Sequence, residues 1–264
     1  MRGSDSTAQA EPLDPFSYAL AAQDRDIPSM VADALTRNRA QLAFQPVMTA
    51  KDGRRIAFYE GFIRLLDEAG RPIRAGSFMA SVEDTGIGRD IDTAALRLGL
   101  DMLRRNPGLR LAINMSARSI GDARWRRMLE SGLKGDNGVG ARLILEISEG
   151  SAMLLPEVVM RFMAEMQPRG VSFALDDFGA GLTAFRHLKD FLFDLVKIDA
   201  LFVQGIDQNP DNQVLAEALI TVAHQFEMFA VAEGVESAAE AELLTRIGVD
   251  CLQGYHFGRP RPTL

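Results

Sequence analysis

The sequence predicts an α/β fold, a (β/α)8 barrel of the TIM type with an antiparallel first strand, and three observations carry that prediction. Eight short apolar runs of strand length recur along the chain, and patterns with apolar residues at three and four spacing separate most of them. The turn between the first two runs is only the KDGRR stretch, Lys51 to Arg55, too short for a helical crossover, so they must form an antiparallel hairpin. The chain has 264 residues, 47% of them hydrophobic, enough for one large core. A doubly wound open sheet is the competing arrangement, since it shares the alternation of strands and helices.

In chain order, residues 1–26 are rich in Ser, Ala, Asp and Gln with scattered Pro, a composition expected to form a flexible arm. The barrel should then occupy 27–264, opening with a helix over 27–38. The eight runs are 42–47, 56–63, 109–113, 143–147, 172–175, 195–198, 229–232 and 251–253. Helices are predicted over 90–106, 154–170, 211–227 and 237–248. Asp211 and Ser237 stand where N-caps are needed, and Gly170 and Gly248 where helices stop. Arg118, Arg124, Arg126 and Arg127 are expected on a solvated helix face.

Composition excludes several classes of function. A lone cysteine, Cys251, rules out an intramolecular disulfide and fits a reducing, cytoplasmic compartment. No window approaches the ~18 unbroken apolar residues of a membrane helix. A formal charge of −7 offers no continuous basic surface for a nucleic-acid polymer. It leaves open a small anionic ligand whose charge is met by bound metal.

The stretch Val171 to Phe185 carries the most chemistry. A buried strand ends in two adjacent acids, Asp176 and Asp177, followed by a glycine-punctuated turn. Alone, such a pair is more often a turn acid and a helix-capping acid than a metal site. Other runs end the same way: Glu60 with Arg64, Asn114, Glu146 with Glu149, Lys197 with Asp199, Glu233 with Glu236, and Gln253. Barrel sites are built where strands end, and carboxylates gathered there require cations. The donors are carboxylate and amide oxygens, which suit Mg²⁺ or Mn²⁺ over zinc or copper. His187, His224 and His256 form no zinc motif.

These segments together resemble a known family. QPV (45–47), the glutamate of Glu60-Gly61-Phe62, INMSA (113–117), LEISE (145–149), DDFGAG (176–181), VKID (196–199), AEGVE (232–236) and QGYHF (253–257) are similar, in order, to the motifs of bacterial EAL domains, phosphodiesterases that open cyclic di-GMP to linear pGpG. The resemblance implies two metal ions per site, held by Glu60, Asn114, Glu146, Asp176, Asp177, Glu233 and Gln253. It implies a catalytic set of Lys197, Glu233 and Glu60, with Gln45, Arg64 and Asp177 toward the substrate and Glu149 anchoring the loop after the acid pair. It also implies a homodimer. Two departures stand out: Gly61-Phe62 replaces the usual Ala-Leu, and Ala180, Leu182 and Ala184 replace side chains that could hydrogen-bond in that loop. They leave a second expectation beside the enzyme, an impaired receptor that binds cyclic di-GMP or a protein partner without cleaving it.

Overall fold

The computed structural model describes residues 27–51, 55–135, 138–181 and 188–264. The arm at 1–26, the loop substitutions at Leu182 and Ala184, and His187 lie outside the described residues.

All eight predicted runs are strands, and a ninth, three-residue strand joins them. They are β1 (Ala40–Thr49), β2 (Ile56–Leu66), β3 (Pro72–Arg74), β4 (Leu111–Asn114), β5 (Leu143–Ser148), β6 (Ser172–Phe178), β7 (Leu195–Ile198), β8 (Phe229–Ala232) and β9 (Cys251–Gln253). Their order is β1-β9-β8-β7-β6-β5-β4-β2-β3, and an additional β1–β2 pairing closes the ring into an eight-stranded barrel with β3 outside it. The closure rules out an open sheet. β1 is antiparallel to both neighbours, β2 and β9, as the short hairpin connection demanded, and the remaining neighbours in the ring are parallel.

The core has two shells. Inside the barrel, Val47, Phe58, Ala112, Ile144, Ala174, Leu195 and Val231 form one compact cluster. Outside it, a larger cluster fills the space between strands and helices, with Trp125, Phe162 and Phe173 stacked edge to face at centroid separations of 5.7 and 5.6 Å. Period-2 alternation explains both: one strand face meets the barrel axis and the other the helices, so the parallel strands are apolar on both faces.

Four helical expectations need correction. The helix predicted to start at residue 90 runs Gly86–Arg105, because Thr85 accepts from Ile87 N and starts it earlier. The helix predicted over 154–170 is two, Glu149–Leu154 and Pro156–Met166, followed by a 3-10 turn; Leu155 is non-helical where Pro156 opens the second. Asp211 is not the cap of Pro210–Gln225: Asn209 is, because Pro210 occupies the first helical turn. Arg118 sits in the 3-10 turn Ala117–Gly121, and only the other three arginines lie on the helix Ala123–Gly132. Ser237 does cap Ala238–Arg246, with Glu240 completing a capping box, while Gly170 and Gly248 adopt φ of 90° and 102°, the left-handed turn that ends a helix.

Candidate active site

The site follows from the inner apolar layer by counting two residues. A step of two along a strand returns to the same face, so the next inward residue after each layer member stands one level nearer the strand's C-terminal rim. After Phe58 comes Glu60; after Ala112, Asn114; after Ile144, Glu146; after Ala174, Asp176; after Leu195, Lys197; after Val231, Glu233; after Cys251, Gln253. On β1, which runs the other way, the corresponding residue precedes Val47 by two and is Gln45. A polar ring thus rests directly on an apolar floor.

Lys197 holds the ring together. Its side chain is 1% exposed, and its Nζ lies 2.9 Å from Glu60 Oε2, 3.1 Å from Glu146 Oε2, 3.2 Å from Asp176 Oδ1 and 2.5 Å from Glu233 Oε1. Glu60 also accepts from Asn114 Nδ2 at 2.7 Å and from Gln253 Nε2 at 2.7 Å. Gln253 Nε2 reaches Gln45 Oε1 at 3.3 Å, and Gln45 Nε2 donates to Gly258 O at 2.9 Å. Gln45, Glu60, Asn114, Asp176, Lys197, Glu233 and Gln253 all line one cavity of about 580 Å³. A second hollow of about 560 Å³ shares Asp92, Asn114 and Asp176 with the first and adds Asp177, so the two meet over the acids.

Asp177 reaches this rim by a backbone irregularity. The ladder between β6 and β7 shifts register between Leu175 and Phe178, and Asp177 has φ 57°, a left-handed conformation that Asp tolerates better than most residues. The acids therefore do not mark the end of the strand, as the sequence suggested; β6 continues through Phe178, and the bulge turns both carboxylates to one side. Ligand oxygens of Asp176, Asp177 and Glu233 come within 4.8 Å of one another.

One ammonium cannot neutralise so many acids. Burial raises Glu60, but the charge of Lys197 and the hydrogen bonds from Gln253, Lys197 and Asn114 outweigh it and hold Glu60 low. Burial and the nearby Glu60 charge push Glu146 well up. Burial likewise pushes Glu233 up to about 8 against the pull of Lys197. Asp177 is raised to about 6 by partial desolvation and the charges of Asp176 and Asp199. Lys197 is itself desolvated, yet the surrounding acids raise it well above an ordinary lysine.

The donor chemistry fits divalent cations. Glu146 Oε1 and Gln253 Oε1 are buried and accept no hydrogen bond, and Asp176 Oδ1 has only its ion pair with Lys197 Nζ at 3.2 Å, an arrangement native proteins avoid unless an ion or water completes it. All three are oxygens, as hard cations require.

Other predicted residues take different places. Glu149 is buried and its Oε2 accepts from Gly179 N at 3.2 Å, tying the segment after the acid pair to the end of β5. Arg64 is outside the residues that line the two hollows; its Nη1 donates to Ile63 O at 2.9 Å and its guanidinium lies 5.6 Å from the Phe62 ring. Asp199 caps the short helix Ala200–Val203 by accepting from Leu201 N at 2.7 Å. Asp92 was missed by the sequence reading. It is buried on the helix Gly86–Arg105, accepts at Oδ2 from Ser116 N at 2.8 Å and Ser119 Oγ at 2.6 Å, and lines both hollows. Burial against those two hydrogen bonds leaves it at about 6. The available signal was an acid in the apolar stripe of Ile91, Ala95, Leu96 and Gly99.

Residues 29–260 match the family model of the EAL domain. The chain belongs to the EAL domain family. Among curated relatives of this EAL domain, the signaling protein YkoW of Bacillus subtilis is 30% identical over 237 residues, covering 88% of this chain and 30% of the relative. The cyclic di-GMP phosphodiesterase PdeF of Escherichia coli is 28% identical over 235 residues, 88% of this chain and 31% of the relative. The chain thus spans about a third of the length of the curated relatives it matches. The FimX EAL domain of Pseudomonas aeruginosa bound to c-di-GMP superposes with a TM-score of 0.81 at 25% identity, over 90% of this chain and 97% of that one. The PaMucR phosphodiesterase in complex with c-di-GMP gives 0.77 at 27% identity, over 90% and 98%.

Proposed function

We propose that this EAL domain hydrolyses cyclic di-GMP to linear pGpG with the help of two Mg²⁺ or Mn²⁺ ions. The observation that carries the reading is the surplus of acids around Lys197, with the buried Glu146 Oε1 and Gln253 Oε1 left without a hydrogen bond. Glu60, Asn114, Glu146, Asp176, Asp177, Glu233 and Gln253 would hold the cations. Bound there, such ions supply charge stabilisation and a lowered water pKa.

In this reading the chain's own groups position and neutralise. Lys197 presents a fixed ammonium at the centre of the ring, where a phosphodiester oxygen gathers charge during attack. Glu233, raised to about 8, would lose its proton to cation binding near neutral pH, and Asp177, raised to about 6, would do so in mildly acidic solution. Gln45 is the polar contact offered to the substrate within the cavity, Arg64 would have to turn from Ile63 O to reach a substrate phosphate, and Glu149 keeps the segment after the acid pair in place. The two adjoining hollows, about 580 and 560 Å³, suit a ligand with two bases and a central pair of phosphates. The phosphodiesterase names of several relatives support the same substrate. A homodimer and a cytoplasmic location belong to this reading; light scattering of the purified chain tests the dimer.

The second reading, a receptor that binds without turnover, draws on one observation: Phe62, in place of a leucine, lines the cavity two residues after the proposed ligand Glu60. Incubation of the purified chain with cyclic di-GMP, with and without Mg²⁺ or Mn²⁺, separates the two. Metal-dependent appearance of pGpG is expected, and Glu60→Gln or Asp176→Asn should lower it by roughly a hundredfold or more. Wild-type turnover in either variant would remove the two-metal assignment, and binding without product would establish the receptor.

A further inference from the structure

The barrel has a second mouth, at the end opposite the acids. A cavity of about 330 Å³ opens there, and its floor is made by Phe58, Ile144, Leu195 and Val231, four members of the inner apolar cluster. Each of these lies two residues before Glu60, Glu146, Lys197 or Glu233, so a single layer of side chains separates this cavity from the polar ring above.

The wall and rim differ in chemistry. Phe229, 61% exposed, and half-buried Cys251 extend the apolar floor outward. Lys51 and Arg110 stand exposed on the rim, and neither has a side-chain hydrogen bond or ion pair among the described residues. Asp250, the one acid among the described lining residues, is already engaged: its Oδ2 accepts from Ala230 N at 2.8 Å and is 2.8 Å from His224 Nε2. Arg110 is close enough to oppose the burial and the Asp250 charge that raise the Cys251 thiol to about 11, which places its cation beside the apolar wall and makes the thiol a poor nucleophile.

An apolar recess of this size with a few polar groups at its edge has the make-up of a small-molecule site. We propose that this cavity binds a small amphipathic anion, a medium-length acyl chain ending in one carboxylate, with the chain on Phe58, Ile144, Leu195 and Val231 and the carboxylate between Lys51 and Arg110. The apolar floor selects a chain and not a sugar or nucleotide. The two uncommitted cations select an acid over an amine of the same length.

Isothermal titration of the purified full chain with decanoate and with decylamine tests this without reference to phosphodiesterase activity. Saturable binding of one decanoate is expected, with decylamine at least tenfold weaker. Arg110→Glu alters an exposed side chain and should weaken decanoate at least tenfold without weakening decylamine. Cys251→Phe, which fills the wall, should abolish both, its fold being checked by its melting curve. Should that variant fail to fold, Arg110→Glu alone decides. No saturable binding, equal affinity for the two ligands, or unchanged decanoate affinity in Arg110→Glu would overturn the proposal.

Discussion

Replacing Lys197 by Met would keep much of the buried volume and delete the one ammonium that faces Glu60, Glu146, Asp176 and Glu233. Breaking a buried ion pair by removing one partner costs roughly 3–5 kcal/mol, because the other charge is left uncompensated. The loss should therefore appear in urea unfolding at pH 8 without divalent cations, and shrink at pH 5, where the acids take up protons instead. Mn²⁺ should restore part of it at pH 8. Asp177 makes the opposite case. It is held at φ 57° with its carboxyl raised to about 6, so Asp177→Gly relieves backbone strain of about 1 kcal/mol and removes a misplaced charge. The variant should unfold at higher urea than wild type while binding Mn²⁺ more weakly; a less stable variant would show that the bulge needs the side chain.

At the scale of elements, the segments between strands and helices decide whether the ring assembles. The stretch after β8 is tied down by Glu240, whose Oε2 accepts from Glu236 N at 2.6 Å and Ser237 N at 2.9 Å, and whose Oε1 accepts from Gly205 N at 2.7 Å. Ser237 returns a single bond, accepting from Glu240 N at 3.2 Å. Ser237→Ala should thus cost roughly 1 kcal/mol, and Glu240→Ala about 2–3 kcal/mol, since three backbone donors lose their acceptor; chemical denaturation of both variants checks the ranking. Gly254 is the other close fit. A Cβ there would lie 2.0 Å from Val235 O, and Val235 N already donates to Gln253 O. Gly254→Ala must push β9 from the segment after β8 and carry Gln253 away from Glu60, so both stability and cation affinity should fall.

For the whole molecule, the acids set a pH dependence. Glu233 has its folded pKa raised from 4.5 to about 8, so the metal-free folded state binds its proton more tightly than the unfolded chain. This contribution is fully present below about 4.5 and is lost as pH rises toward 8. The midpoint of urea unfolding in chelator should accordingly fall across that window, and saturating Mg²⁺ or Mn²⁺ should flatten the fall, because cation binding favours the deprotonated acids. Proton release on Mn²⁺ addition near neutral pH, read by calorimetry in buffers of different ionisation enthalpy, checks the same linkage. No proton release would remove the raised Glu233 from the account.

The chain by itself determined the eight strands, the reversed first strand and which polar residues stand at their ends, because strand runs, a short hairpin connection and period-2 alternation are local properties of sequence. It misjudged the start of the helix Gly86–Arg105, the break at Leu155 and the cap at Asn209, where one cap or proline moves a boundary by a few residues. Only the tertiary structure decided that Lys197 sits among four acids, that a bulge brings Asp177 beside Asp176, and that Asp92 reaches the cavity from a helix. Each of these depends on closure of the barrel, which brings together side chains far apart in the chain and sets their charges by the desolvation and the neighbours they meet there.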